Sequence, residues 1–196
     1  MPLQPYRYWI FDMDGTLTLP IHDFEEIRAA LGISSGIPIL EAILEMPEAQ
    51  ADITRQKLND IEMEIATRAT PQPGITDVLQ RLQDSGRRRG ILTRNGEEIT
   101  RVTLEAAGLD GYFAWESVIG RDSCLPKPNP DGVHRLLEIW NAASEETVII
   151  GDYLYDIQAG REAGITTVHF DQTGLFPWPQ YTDHRVESIS DLGKLF

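Results

Sequence analysis

With 196 residues, 41% of them hydrophobic and 24% charged, the chain has enough apolar material for one folded domain with a small insert, and a disordered or fibrous protein is excluded. Its formal net charge of -14 disfavours nucleic acid and anionic membranes as partners, and any anion site must bring its own positive potential. A lone cysteine, Cys124, excludes an intrachain disulfide, no run approaches the roughly 20 apolar residues of a membrane span, and residues 1–9 lack a secretory pattern, so a cytoplasmic location is expected.

In chain order, residues 8–11 come first, an apolar Tyr-Trp-Ile-Phe run of the kind a strand buried on both faces shows. Asp12 and Asp14 follow at once in Asp12-Met13-Asp14-Gly15-Thr16, where Gly15 permits a sharp turn. Two carboxylates this close repel unless a cation or a shared proton offsets them, which suggests a metal-assisted acid/base or nucleophilic centre. From about residue 21 to about 70 no strand is evident. Phe24, Ile27, Ala30 and Leu31 form one helical stripe, residues 39–44 a short helix, and Leu58, Ile61 and Ile65 another stripe. Within this stretch Gly32-Ile33-Ser34-Ser35-Gly36 matches a serine-hydrolase elbow, but that elbow needs a preceding strand, and Gly32 reads as a helix stop. Arg28, Arg55 and Arg68 are candidate substrate contacts, with solvated helix charges the plainer reading. Pro71-Gln72-Pro73-Gly74 then reads as a hinge.

Beyond the hinge, Ile75, Val78, Leu79 and Leu82 predict a helix over 74–85, stopped by Gly86. Arg87-Arg88-Arg89 reads as a solvated turn before a strand at 90–93. Thr93 closes that strand. Its hydroxyl and the backbone N–H groups of Arg94-Asn95-Gly96 could hold an anion at the positive end of the helix over 97–107, although a plain strand-end threonine is the alternative. Asn95 is expected to cap that helix, whose inner face is read as Ile99, Val102, Leu104 and Ala106. A short strand at 118–119 precedes Cys124, read as a buried or partly buried thiol. Next comes Pro126-Lys127-Pro128-Asn129-Pro130, in which three prolines fix the backbone around one lysine. A helix over 130–140 carries Val133, Leu136, Leu137 and Trp140. The strand at 148–150 runs into Gly151-Asp152-Tyr153-Leu154-Tyr155-Asp156, where a helix start returns Asp156 to the face of Asp152. A helix over 153–163 and a strand at 166–170 complete the pattern. His22, His134, His169 and His184 lack ligand spacing, and His22 is expected at the surface.

Alternation of buried strands with amphipathic helices predicts an α/β fold, a parallel sheet with helices on both faces. Asp12/Asp14, Thr93, Lys127 and Asp152/Asp156 all fall at or just beyond carboxyl ends of strands, the edge where such sheets bind ligands. No Cys/His cluster has zinc spacing. Carboxylates completed by water and a substrate oxygen suit Mg²⁺.

On these four motifs the chain resembles the haloacid dehalogenase superfamily, in its phosphoglycolate phosphatase-like branch with a small helical C1-type cap. The resemblance implies a Rossmann-like core over 1–19 and 72–196 and an all-helical cap over 20–71, inserted after the first strand. It implies that Asp12 is a nucleophile forming an aspartyl-phosphate and that Asp14 is the acid/base. Mg²⁺ is implied on Asp12, the Asp14 carbonyl and Asp152, with Asp156 in support. Thr93, Lys127 and the Arg94-Asn95 loop are implied to hold the phosphoryl group. The implied partner is a small phosphorylated metabolite. The resemblance also implies phosphoester over carbon-halogen chemistry, since the family's dehalogenase branch lacks a counterpart of Asp14. A phosphosugar mutase, a phospho-accepting receiver-like domain and a non-catalytic binding protein are the competing readings.

Overall fold

A computed structural model describes residues 6–193. Six parallel strands form one sheet in the order β3-β2-β1-β4-β5-β6. They are β1 (Tyr8–Phe11), β2 (Arg88–Leu92), β3 (Val118–Ile119), β4 (Thr147–Gly151), β5 (Thr166–Phe170) and β6 (His184–Val186). This order places the topological switch between β1 and β4, where a crevice opens beyond the strand carboxyl ends.

The unbroken apolar run of β1 has a geometric reason. Trp9 and Phe11 point into one core layer with Ile91, Val148 and Ile150, while Ile10 points into the other with Leu92 and Ile149. Helices α4 (Ile75–Asp84) and α8 (Ile189–Leu192) cover the first layer, with Val78, Leu79, Leu82 and Leu192 buried there. Helices α6 (Asp131–Trp140) and α7 (Leu154–Glu162) cover the second through Val133, Leu136, Trp140 and Ala159. Gly90 lets Trp140 lie against the sheet, since a Cβ there would stand 2.6 Å from the indole. Helix α5 (Glu97–Ala107) follows β2 and buries Ile99, Thr100, Thr103, Leu104 and Ala107.

Three helices stand between β1 and β2: α1 (Phe24–Leu31), α2 (Ile39–Leu44) and α3 (Glu48–Ala66). They share a separate small core of Ile27, Ile33, Ile43, Ala51, Leu58 and Ile65. Gly32 ends α1 in the left-handed conformation, so the hydrolase-elbow pattern there is a helix stop. Two chain crossings join the helices to the sheet, where Leu19 N–H donates to Thr70 O at 3.0 Å and Gln72 N–H to Leu17 O at 2.8 Å.

The structure corrects several sequence expectations. Arg88 and Arg89 belong to β2, and Arg89 is half-buried because its guanidinium donates to Tyr112 O and Arg87 O. The inner face of α5 is rotated from the expected one. Ala106 is exposed, and Thr100 and Thr103 are buried instead, residues that an apolar count passes over. In α1 only Ile27 is buried, and Phe24 is exposed. Strand β6 and helix α8 were not expected, being only three and four residues long. Residues 1–5 and 194–196, the ends of the expected core range, lie outside the described residues.

Candidate active site

Strand register brings the distant motifs to one level. Phe11 pairs with Ile91 on one side and Ile150 on the other, so Asp12 emerges beside the end of β4 and donates its N–H to Ile150 O at 2.9 Å. Thr93 leaves β2 one rung further on and donates its N–H to Ile119 O at 3.0 Å. Lys127 reaches in from the proline-rich loop, and its side chain is 2% exposed. Its Nζ lies 2.5 Å from Asp12 Oδ1 and 2.6 Å from Asp156 Oδ1. A buried ammonium is tolerated only when paired, and here two carboxylates pair it. Asp156 spends its other oxygen on the Tyr153 N–H at 3.0 Å, closing the first turn of α7.

Asp12, Asp152 and Asp156 each present an oxygen, all within 4.8 Å of one another. Three hard oxygen donors this close fit a divalent cation of the Mg²⁺ or Ca²⁺ kind. Thr16 Oγ1 donates to Asp152 Oδ1 at 3.3 Å. Gly15 has φ +91, and a Cβ there would overlap the Asp152 carboxylate, so only glycine lets the turn after Asp14 pass this close.

Asp14 is set apart from this cluster. Asn95 Nδ2 donates to its Oδ2 at 2.7 Å. Asn95 was expected to cap α5, but the cap position is Gly96, and the Glu97 N–H at the helix start is taken by Asp122 Oδ2 at 2.7 Å. That substitution frees the Asn95 amide for Asp14. Thr93 Oγ1 accepts the Asn95 N–H at 3.1 Å, tying the loop to the strand end. Arg94 turns the other way, toward α2. Its Nη2 donates to both oxygens of Glu41 at 2.8 and 2.9 Å, its Nη1 donates to the Lys127 carbonyl, and its guanidinium lies 4.9 Å over the Tyr155 ring.

The comparisons with known proteins agree with this architecture. Residues 19–170 match the haloacid dehalogenase-like hydrolase family. The chain belongs to that family. A haloacid dehalogenase-like hydrolase domain-containing protein of Arabidopsis thaliana is 28% identical over 95% of this chain and 82% of its own. A phosphoglycolate phosphatase of Aquifex aeolicus is 27% identical over 96% of each chain. The crystal structure of a hydrolase from Pseudomonas syringae superposes with a TM-score of 0.80 at 22% identity, over 96% of each chain.

The acidic residues of this haloacid dehalogenase-like hydrolase are held away from their solution behaviour. Burial pushes the Asp14 carboxyl up to about 6, with Glu62 adding to the rise and the Asn95 hydrogen bond opposing it. Burial and the neighbouring Asp156 raise Asp12 to about 7 against the pull of Lys127, and burial with Asp12 and Asp156 raises Asp152 to about 8. Lys127 moves upward, since its two carboxylate partners outweigh its burial. Carboxylates crowded to this degree are poised to exchange protons for a cation.

Sequence reading passed over several neighbours of the site. His22, expected at the surface, has a side chain only 8% exposed, with Nδ1 3.7 Å from Asp14 Oδ1 and no hydrogen-bond partner. Its ring stacks on Phe24. Arg121, just past the end of β3, reaches Glu62 at 2.8 Å and Asn59 at 2.6 Å on α3. The strand-end rule that picked out Thr93 and Lys127 would have found it. Gln72 is 3% exposed and donates to Gly15 O at 3.0 Å. Of the three insert arginines only Arg28 lines the cavity over the site, while Arg55 and Arg68 pair with Asp52 and Glu64 on the surface. Cys124 is a half-buried free thiol. Among the described residues no helix is long and apolar enough to cross a membrane.

Proposed function

We propose that the protein is a Mg²⁺-dependent phosphatase that hydrolyses a small phosphorylated metabolite through an aspartyl-phosphate on Asp12. The observation that carries this reading is the division of labour between two carboxylates two residues apart. Asp12 is clamped by Lys127 at 2.5 Å beside Asp152 and Asp156, while Asp14 is held separately by Asn95 at 2.7 Å. One carboxylate is positioned as a nucleophile in a cation cluster, and the other, raised by burial to about 6, as a group that can give and take up a proton. The phosphatase names carried by several relatives, including the Aquifex phosphoglycolate phosphatase, support the same class.

In this reading an Asp12 oxygen attacks phosphorus while Asp14 gives its proton to the leaving oxygen. Asp14 then takes a proton from the water that attacks the aspartyl-phosphate, releasing inorganic phosphate and restoring Asp12. In this reading Lys127, the Thr93 hydroxyl and the backbone N–H of Arg94 hold the phosphoryl oxygens and offset their charge, while the Asn95 N–H stays on Thr93 Oγ1. Mg²⁺, held by Asp12, the Asp14 carbonyl and Asp152 with Asp156 behind them, would supply charge neutralisation at phosphorus. Residues 20–71 serve as a cap over the core formed by 1–19 and 72–196, closing the site against bulk water.

Asp12→Asn removes the nucleophile while keeping shape and hydrogen-bonding capacity. Its expected result is loss of phosphate release from p-nitrophenyl phosphate at a melting temperature no lower than that of the parent. Turnover within tenfold of the parent would exclude the covalent route. Chelation should stop the parent enzyme and added Mg²⁺ restore it.

A further inference from the structure

The cavity over the site has a volume of about 310 Å³, small among ligand pockets and sufficient for a phosphoryl group with one ring. Its outer walls are apolar. Phe24, Ile39, Leu40 and Leu58 line it from the inserted helices, and Tyr153 and Tyr155 from the start of α7. Phe24 is 53% exposed and Tyr153 51%, although each ring is braced: Phe24 stacks on His22, and Tyr153 packs edge-on against Tyr155 and Trp178. Rigid aromatic surface left open at a pocket mouth is surface that a ligand can cover.

The cations of the outer cavity are already committed. Arg94 is held by both oxygens of Glu41. Arg121 is held by both oxygens of Glu62, at 2.8 and 3.2 Å. Arg28 donates to Glu25 at 2.7 Å and to Ile37 O at 2.8 Å. Each arginine is thus matched by a carboxylate, and Glu62 itself lines the cavity. A second anionic group on the substrate would meet arginines whose charge is already offset, and would lie beside the glutamates that offset it. Among the described residues lining the cavity, Lys127 is the remaining cation, and it belongs to the phosphoryl end.

We propose that the leaving group is an uncharged alcohol bearing an apolar or aromatic ring, and that the cavity selects against a leaving group with a carboxylate. The proposal rests on the phosphatase reading above and narrows it. It also separates this chain from the phosphoglycolate phosphatase it resembles, since glycolate is small and anionic.

Three alkyl esters with leaving alcohols of similar basicity test the proposal: benzyl phosphate, ethyl phosphate and phosphoglycolate. With the full chain and Mg²⁺, kcat/KM is expected to be at least ~tenfold higher for benzyl than for ethyl phosphate, equivalent to about 1.4 kcal/mol of apolar burial. Phosphoglycolate is expected at least ~tenfold below ethyl phosphate. Phe24→Ala, at an exposed position that should not disturb folding, is expected to reduce the benzyl preference severalfold, and Glu41→Gln, by releasing Arg94, to raise phosphoglycolate relative to ethyl phosphate. Phosphoglycolate turned over as fast as ethyl phosphate, or a benzyl preference unchanged in both Phe24→Ala and Leu40→Ala, overturns the proposal while leaving the phosphatase standing. No phosphate released from any of the three esters overturns the phosphatase reading itself.

Discussion

Asn95 shows how a single side chain can set the working range of another. Its amide donates to Asp14, and a hydrogen bond to the charged form of a carboxyl lowers its pKa. The proposed acid step needs Asp14 protonated, so kcat/KM should fall as pH rises through the Asp14 value of about 6. Asn95→Ala removes the donor, raises that pKa and moves the alkaline limb to higher pH. A pH profile on ethyl phosphate reads the shift, and an unmoved limb would dissociate Asn95 from the acid. Asn95 was legible as part of the loop after Thr93, but its expected capping of α5 was not met. A residue two before a helix looks like a cap in one dimension, and nothing in the local sequence reveals that Asp122 performs that task from 25 residues away.

At the scale of elements, the inserted helices are fastened to the sheet edge by two ion pairs, Arg94 to Glu41 on α2 and Arg121 to Glu62 on α3. The second is the more sheltered, with side chains 13% and 11% exposed. Its geometry is bidentate and shared with Asn59, so it belongs with the coupled pairs and not with surface pairs of negligible worth. A double-mutant cycle of Arg121→Ala and Glu62→Ala is expected to give a coupling of about 1–3 kcal/mol in unfolding. The same cycle measured on KM should show that both single variants bind substrate more weakly, because the helices above the cavity are less firmly held. Additive single variants would mean that the pair does not fasten the insert. The helices α1 to α3 were legible from their stripes, but the salt links were not. Arg121 and Glu62 are 59 residues apart and each has unremarkable neighbours.

For the whole molecule, the site concentrates like charges on a chain whose formal net charge is already -14. Asp12 and Asp152 ordinarily titrate near 3.8 and are raised to about 7 and about 8 in the fold. Between the unfolded and folded values the native state binds more protons than the unfolded one. Metal-free stability from these groups is therefore full below about pH 4 and is lost as pH rises through 7 to 8. A divalent cation replaces those protons, so its stabilisation should grow over the same window. The rise in melting temperature on adding Mg²⁺ is expected to be larger at pH 8 than at pH 5.5, and to shrink at pH 8 in Asp152→Asn. An equal rise at both pH values would place the cation elsewhere.

The sequence by itself determined the layered α/β fold and picked out the candidate reacting groups. Strands covered on both faces must be apolar throughout, and a carboxylate set at the end of such a strand stands out against that background. Asp12, Asp14, Asp152 and Asp156 were visible for this reason, Thr93 as the polar close of a strand, and Lys127 by the three prolines around it. Only the tertiary structure decided how these groups are paired and what surrounds them. Parallel crossovers bring Lys127 across 115 residues to Asp12 and Asn95 across 81 to Asp14. They also match the arginines of the outer cavity to glutamates from the inserted helices. Such pairings depend on strand order and on the angle at which the insert returns, and neither is written in local periodicity.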